Sequence, residues 1–449
     1  MILYGVKNEK KLIRLLILSS IGLSATAAED NLLSNVIVSL DANQIASVAD
    51  FADGYAISTQ YTYNHVFSGF SATVTPKVLA RLSNDQRDLS VSNDGTDIAV
   101  PVYQPTLKQG QPAPLLMYSH GWGGSRSSDL TETDSLTKTP RIAWESGYFA
   151  LTFDQRGFGD SGGQANSQDP DIEGRDVQTL LDWAEGGMSP HLAYLKGDPL
   201  VGGIGLSYGG GFQLVGASID PRFDAIVPAM TWHDLPYSLS PERIPMTLWL
   251  SVLGALARES QAPWLTQAYA EPLTGTASEE GSKRLARNGL RAYCKPDGLG
   301  VPRVDALFIQ GVNDTLFNLN EATWNYECLR NAGNDAYLLV TKGGHILPAF
   351  QDGSDGGTTN SGGFFNDVQC GDTRYTIADL SYTFLNGKLR KLQRNIPIPR
   401  VCLTQECIQG VVSDEVPKGG LVQHFASGNL LVGPPSVDVF LNLLRKLDP

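Results

Sequence analysis

The sequence predicts an α/β protein: a mostly parallel sheet with helices on both faces, a helical cap inserted into it and a small α+β module ahead of it. Three observations carry this. Short apolar runs alternate with helical stretches between about residues 115 and 385. Glycine-rich turns follow several of those runs. The alternation stops once, over 231–303, where Trp232, Trp249 and Trp264 punctuate a helical insertion.

The chain opens on residues 1–27, which have the form of a secretory signal peptide. Lys7, Lys10, Lys11 and Arg14 supply a positive n-region, Leu15 to Leu23 an apolar h-region, and Ala25-Thr26-Ala27 a small-residue cleavage site. The apolar run is too short for an ordinary membrane anchor, and no later segment is long and apolar enough to span a bilayer. The expected location is therefore secreted or periplasmic. Cleavage would remove four basic residues and Glu9, taking the formal charge from -13 to about -16. So acidic a protein is a poor partner for nucleic acid or anionic lipid. The five cysteines all lie in the second half, and Cys402 with Cys407 could close a small disulfide loop.

Residues 30–88 read as a separate module. Asn35 to Leu40 is a strand, Gln44 to Phe51 a short helix, and Tyr61 to Val74 one or two strands. A helix starts at Thr75, with Pro76 in its first turn. In Leu89 to Pro105 an Asn93-Asp94-Gly95 turn joins two strands.

The main domain, 89–390, has strands at Leu115–Ser119, Tyr148–Phe153, Val201–Gly205, Phe223–Val227, Val304–Gln310 and Ala336–Thr341. Its clearest helices are Asp171–Trp183, Tyr208–Ala217, Asn320–Ala332 and Ile377–Leu385. Residues 391–449 follow as a C-terminal extension, read as a shortened β domain.

The chemistry is expected at Gly205-Leu206-Ser207-Tyr208-Gly209, between a buried strand and a small-residue helix. A strand, a sharp turn and a helix around G-x-S-x-G form a nucleophile elbow. In a chain with 47 glycines the motif alone is weak. Its neighbours in the chain strengthen it. His120-Gly121-Trp122-Gly123-Gly124 follows the 115–119 strand and offers an oxyanion loop, with the N–H groups of Trp122 and Tyr208 as donors. Asp314 follows the strand ending at Gln310, and His345 follows the next. The order Ser207, Asp314, His345 is that of the α/β-hydrolase fold. His120 is read as ordering its loop, Asp154 as scaffolding and His65 as structural. Asp352 to Gly357 could form a calcium loop but lacks the EF-hand glutamate, and reads better as a loop beside His345. No cofactor or metal is expected.

Several segments also carry family resemblances. D-Q-R-G-F-G-D-S-G-G, E-G-R-D-V-Q-T-L-L-D-W, G-L-S-Y-G-G-G-F-Q-L, G-V-N-D-T-L-F and G-G-H together resemble the Xaa-Pro dipeptidyl-peptidase-like family, which includes cocaine-esterase-like enzymes. The resemblance covers roughly 89–390 and implies a serine hydrolase acting on small-molecule or peptide esters and amides. The family's long C-terminal jelly roll is shortened here, and no acidic residue is identifiable as the anchor of a peptide's amino terminus. Peptidase, carboxylesterase and acyltransferase therefore stay open; the full set of motifs argues against a purely binding protein. G-F-S-A-x-V-T and L-A-R-L-S in 30–88 resemble the propeptide (inhibitor) module of subtilisin-type proteases.

Overall fold

Runs of branched and aromatic residues become strands whose side chains are buried on both faces, as a parallel sheet between helical layers requires. In this computed structural model the described residues are 52, 58–63, 68–74, 89–92, 94–105, 111–126, 139–188, 191–241, 244–273, 279–295, 298–312, 314–341, 344–345, 367–370, 373–391, 399–404 and 410–413, with strand backbone at 13–20 and 34–40. The chain divides into two compact units. One comprises Met1–Ser119, Ser125–Gly163 and Asp176–Gly202, the other His120–Gly124, Gln164–Arg175 and Gly203–Pro449.

In the first unit β1 (Ile13–Ser20), β2 (Ser34–Leu40), β3 (Thr59–Tyr63) and β4 (Ser68–Val74) form an antiparallel set in the order β1-β2-β4-β3. The expected strands of the N-terminal module are thus present, and the 61–74 run divides into two. The helices expected at 44–51 and from Thr75 lie outside the described residues. β1 overlaps the stretch Leu15 to Leu23 read as the h-region of a leader and begins two residues before it.

β5 (Leu89–Ser92) and β6 (Asp97–Val100) make the expected hairpin. β7 (Val102–Gln104) pairs antiparallel with β9 (Phe149–Phe153), which runs parallel to β8 (Leu115–Ser119). Between β8 and β9 lies α1 (Thr139–Glu145). Asp154, fully buried, accepts from the Arg126 and Asp160 N–H groups and from the Arg126 guanidinium, which makes it scaffolding. Arg156 forks onto the buried Asp176 carboxylate at 2.6 and 2.7 Å.

The helix α2 (Glu173–Met188) runs five residues beyond its expected end at Trp183. Val177, Leu180, Leu181, Ala184 and Met188 are buried and keep helical spacing past that point. A short hairpin, β10 (Tyr194–Leu195) and β11 (Asp198–Pro199), follows it.

The second unit holds β12 (Val201–Leu206) from Gly203 onward, with β13 (Phe223–Ala229), β14 (Asp305–Gly311) and β15 (Ala336–Thr341) adjacent in that order. β13, β14 and β15 are parallel. α3 (Tyr208–Ile219) and α9 (Leu319–Asn331) are crossover helices. The insertion holds α4 (Leu235–Leu239), α5 (Thr247–Ala257), α6 (Pro263–Leu273), α7 (Glu279–Leu285) and α8 (Arg291–Cys294).

After β15 come the hairpin β16 (Asp367–Cys370) and β17 (Thr373–Thr376) and helix α10 (Ile377–Leu385). A Thr376–Asp379 capping box starts that helix.

Two expectations need correction. The sheet does not end by 390: β18 (Val401–Thr404) adds parallel to β15, and β19 (Gly410–Ser413) pairs with β18. Cys402 bonds to Cys370 and not to Cys407, because β18 brings it opposite β16; a second disulfide joins Cys294 to Cys328. Cys407, Asp352 to Gly357 and 414–449 lie outside the described residues. Among the described residues no helix is long and apolar enough to cross a membrane.

Candidate active site

Ser207 sits between β12 and the first residue of α3, with φ 58° and ψ -117°. An L-residue there is strained by roughly 1–3 kcal/mol. The turn is held by Ser207 N–H donating to Ala229 O at 2.9 Å, while Gly210 and Gly211 N–H donate to Ser207 O. Gly205 has to be glycine. A Cβ there would lie 2.5 Å from the Gly209 carbonyl oxygen, and backbone cannot step aside. The serine is 9% exposed.

Asp314 follows β14. Its Oδ1 accepts from Leu316 N–H (2.9 Å) and Phe317 N–H (2.7 Å), and its Oδ2 is 2.6 Å from His345 Nδ1. A carboxylate accepts, so Nδ1 carries the hydrogen and Nε2 is left as the basic nitrogen. His345 is fixed from behind as well, since Thr315 donates to its carbonyl from both N–H and Oγ1. The Phe317 and Trp249 rings stand edge-on to the imidazole at 5.3 and 6.1 Å. Gly344, at φ 146°, is the second required glycine, because a Cβ would fall on the Asp314 backbone.

The 120–124 loop runs beside the serine: a Cβ placed on Gly121 would be 3.9 Å from Ser207 Cβ. Trp122 is locked by its indole N–H on Leu253 O (2.9 Å) and by a T-shaped contact with Tyr208. His120 Nδ1 sits 2.7 Å from Gly121 O, which fits a loop-ordering role.

Ser207 opens onto a pocket of about 320 Å³, counting its mouth, whose walls include Trp122, Tyr208, Trp232, Leu253, Tyr269 and Phe317. None of its described lining residues is charged. Sequence reasoning named Trp122 and Tyr208 for their backbone, and Trp232 only as a tryptophan of the insertion. It missed Tyr269 and Ser167, which enter from α6 and from the loop before α2, and for which no local motif exists.

The Trp232–Leu235 wall is anchored from behind by Glu321. This fully buried carboxyl accepts from the His233 and Asp234 N–H groups and meets Ser238 Oγ at 2.5 Å. Burial pushes its pKa up to about 8, against its hydrogen bonds. Burial also pushes His233 down to about 4, against its contact with Asn325.

A strand–serine–helix turn on a mostly parallel sheet, with a His–Asp pair after later strands, defines an α/β hydrolase. Residues 94–347 match X-Pro dipeptidyl-peptidase (S15 family), and the chain belongs to that family. Residues 24–96 match Peptidase inhibitor I9.

Among curated proteins it is similar to the quorum-quenching protein AidA of Acinetobacter baumannii (strain MDR-ZJ06), 32% identical over 181 residues, 39% of this chain and 53% of that protein. An uncharacterized 31.7 kDa protein in the traX-finO intergenic region of Escherichia coli is 30% identical over 122 residues, 27% of this chain and 38% of that one. The chain thus spans about half or less of the length of these relatives.

Among solved structures it is similar to an aminopeptidase from the marine sediment archaeon Thaumarchaeota archaeon (TM-score 0.47, 17% identity, 74% of this chain and 59% of that one). The Pyrococcus furiosus esterase Pf2001 gives a TM-score of 0.37 at 17% identity, over 58% of this chain and 84% of that one.

Proposed function

We propose that the chain is an exported serine hydrolase that cleaves ester or amide bonds through an acyl-enzyme. Ser207 Oγ attacks the carbonyl carbon as His345 Nε2 takes its proton. Asp314 holds the imidazole in that tautomer and stabilises the imidazolium. The N–H groups of Trp122 and Tyr208 receive the oxyanion, where the N-terminus of α3 also favours negative charge. His345 then protonates the leaving alcohol or amine, and water attacks the acyl-enzyme by the same route. The observation that carries this reading is the 2.6 Å His345–Asp314 bond, paired with a positive-φ serine at a helix start.

The uncharged lining of the described pocket favours neutral acyl groups and supports a carboxylesterase-like activity. The second reading, a dipeptidyl peptidase, follows from the family; it needs a carboxylate for the free amino terminus. Export rests on the leader-like residues 1–27 and agrees with the I9 match. We assign residues 30–88 the role of limiting access until processed.

The test is hydrolysis of a short-chain nitrophenyl ester and of an Ala-Pro-nitroanilide. Ser207→Ala should cost at least about 10⁴-fold on whichever is cleaved. Retained activity would refute the assignment, and anilide cleavage would favour the peptidase. Equal rates with and without residues 30–88 would remove the access role.

A further inference from the structure

Two adjacent non-glycine residues in the loop before α2, Ser167 and Gln168, have positive φ (59° and 64°) and are buried. Such backbone persists only when its surroundings over-determine it. Here they do. The Glu173 carboxylate accepts from the N–H groups of Asn166 and Asp169, and Asn166 Oδ1 accepts from Trp264 Nε1 at 2.7 Å. Ala165 pairs with the insertion backbone at Ser260 and Ala262.

The consequence is that Ser167 Oγ lies 3.0 Å from the Tyr269 hydroxyl. Both residues line the same pocket as Ser207. Each hydroxyl has one hydrogen, and their mutual bond uses one of the two. The remaining O–H has no other partner among the described residues, and the walls around it are aromatic and aliphatic. Burial raises the Tyr269 phenol to about 12, so it stays protonated.

We propose that the Ser167–Tyr269 hydroxyl pair is a specificity element that donates a hydrogen bond to a neutral acceptor oxygen in the acyl part of the substrate. This rests on Ser207 as the nucleophile. The substrate class is then a largely apolar acyl group with one carbonyl, ether or hydroxyl oxygen away from the scissile carbonyl. A plain hydrocarbon chain would leave the O–H without an acceptor among aromatic and aliphatic walls, and a charged group would find no counter-ion in the described lining.

The test separates the pair from the nucleophile. Ser207→Ala protein, taken as unable to turn over, is titrated by ligand-observed NMR with pentanamide against 4-oxopentanamide and with hexanamide against 5-oxohexanamide. The oxo member of at least one pair should bind roughly three- to tenfold more tightly. Either single change leaves the other hydroxyl free to donate, so Ser167→Ala and Tyr269→Phe are combined, which should bring that ratio to about one; Ser167→Ala with Tyr269→Leu serves if the first double variant does not fold. Each ratio is internal to one protein.

No preference for an oxo compound, or a preference unchanged in the variants, overturns the proposal. Hydrolysis of nitrophenyl pentanoate by the unaltered chain is measured beside it. Preference without Ser207-dependent hydrolysis supports the hydroxyl pair and overturns the nucleophile; hydrolysis without preference does the reverse.

Discussion

Glu321→Gln isolates one buried carboxyl behind the pocket wall. In the folded protein Glu321 is completely buried, and its pKa stands at about 8 against an ordinary 4.5. Folding near pH 6 therefore takes up a proton, and stability should fall as pH rises from the unfolded value towards the folded one. One proton corresponds to about 1.4 kcal/mol per pH unit, which integrates to about 3.5 kcal/mol between pH 5 and 8. Glutamine reproduces the protonated acid: its oxygen can accept from the His233 and Asp234 N–H groups, while its amide can donate to Ser238 Oγ. His233 works in the opposite sense between about 4 and 6.5, but it is common to both proteins and cancels in the difference. The assay is urea unfolding of wild type and variant at pH 5, 6, 7 and 8. The variant should gain on the wild type at each step. A constant difference, or one that shrinks as pH rises, would mean that Glu321 is ionised in the folded state and would refute the reasoning.

Gly205→Ala forces a Cβ to 2.5 Å from the Gly209 carbonyl oxygen, so it should destabilise by roughly 1–3 kcal/mol or more. A 1 Å displacement of the serine would add about a 10²-fold loss of ester hydrolysis. Denaturation and kinetics on the same sample read both effects. Reducing the Cys294–Cys328 and Cys370–Cys402 bonds, which join residues 34 and 32 apart, should cost roughly 2–4 kcal/mol each, measured as the shift in urea unfolding with and without reductant.

Much of the fold was legible because the central strands are continuous apolar runs bounded by glycines, which leaves few other ways to bury them. Leu115–Ser119 was placed to the residue for this reason. Ser207, Asp314 and His345, proposed as the catalytic set, were legible because each lies in the turn or loop just after such a strand. The walls of the pocket were not. Tyr269 and Leu253 lie on helices whose pattern reports burial without saying against what, and Ser167 depends on backbone strain that leaves no sequence trace. Ile13 to Ser20 shows the same ambiguity: apolar, partly β-branched residues satisfy an h-region and a strand equally. The pairing of Cys402 was misjudged because sequence proximity favoured Cys407, while the fold sets the Cys370 and Cys402 Cα atoms 5.6 Å apart.

The distribution of strain gives a further argument for where function lies. Six described non-glycine residues have positive φ: Ser167, Gln168, Lys196, Ser207, Met230 and Lys391. Four of them lie in the segments that build one pocket, in the loop before α2, at the serine turn, and just before Trp232. Each costs roughly 1–3 kcal/mol, so the total is comparable with the net stability of a whole domain. Backbone hydrogen bonds hold two of these turns in place: Ser207 N–H donates to Ala229 O at 2.9 Å, and Met230 N–H to Ile309 O at 2.7 Å. The parallel strands thus anchor the turns that shape the site. A fold selected for stability alone would have glycine at these points or straighter loops. That serines occupy two of them is accounted for by their hydroxyls, one proposed to attack the substrate and the other to select it.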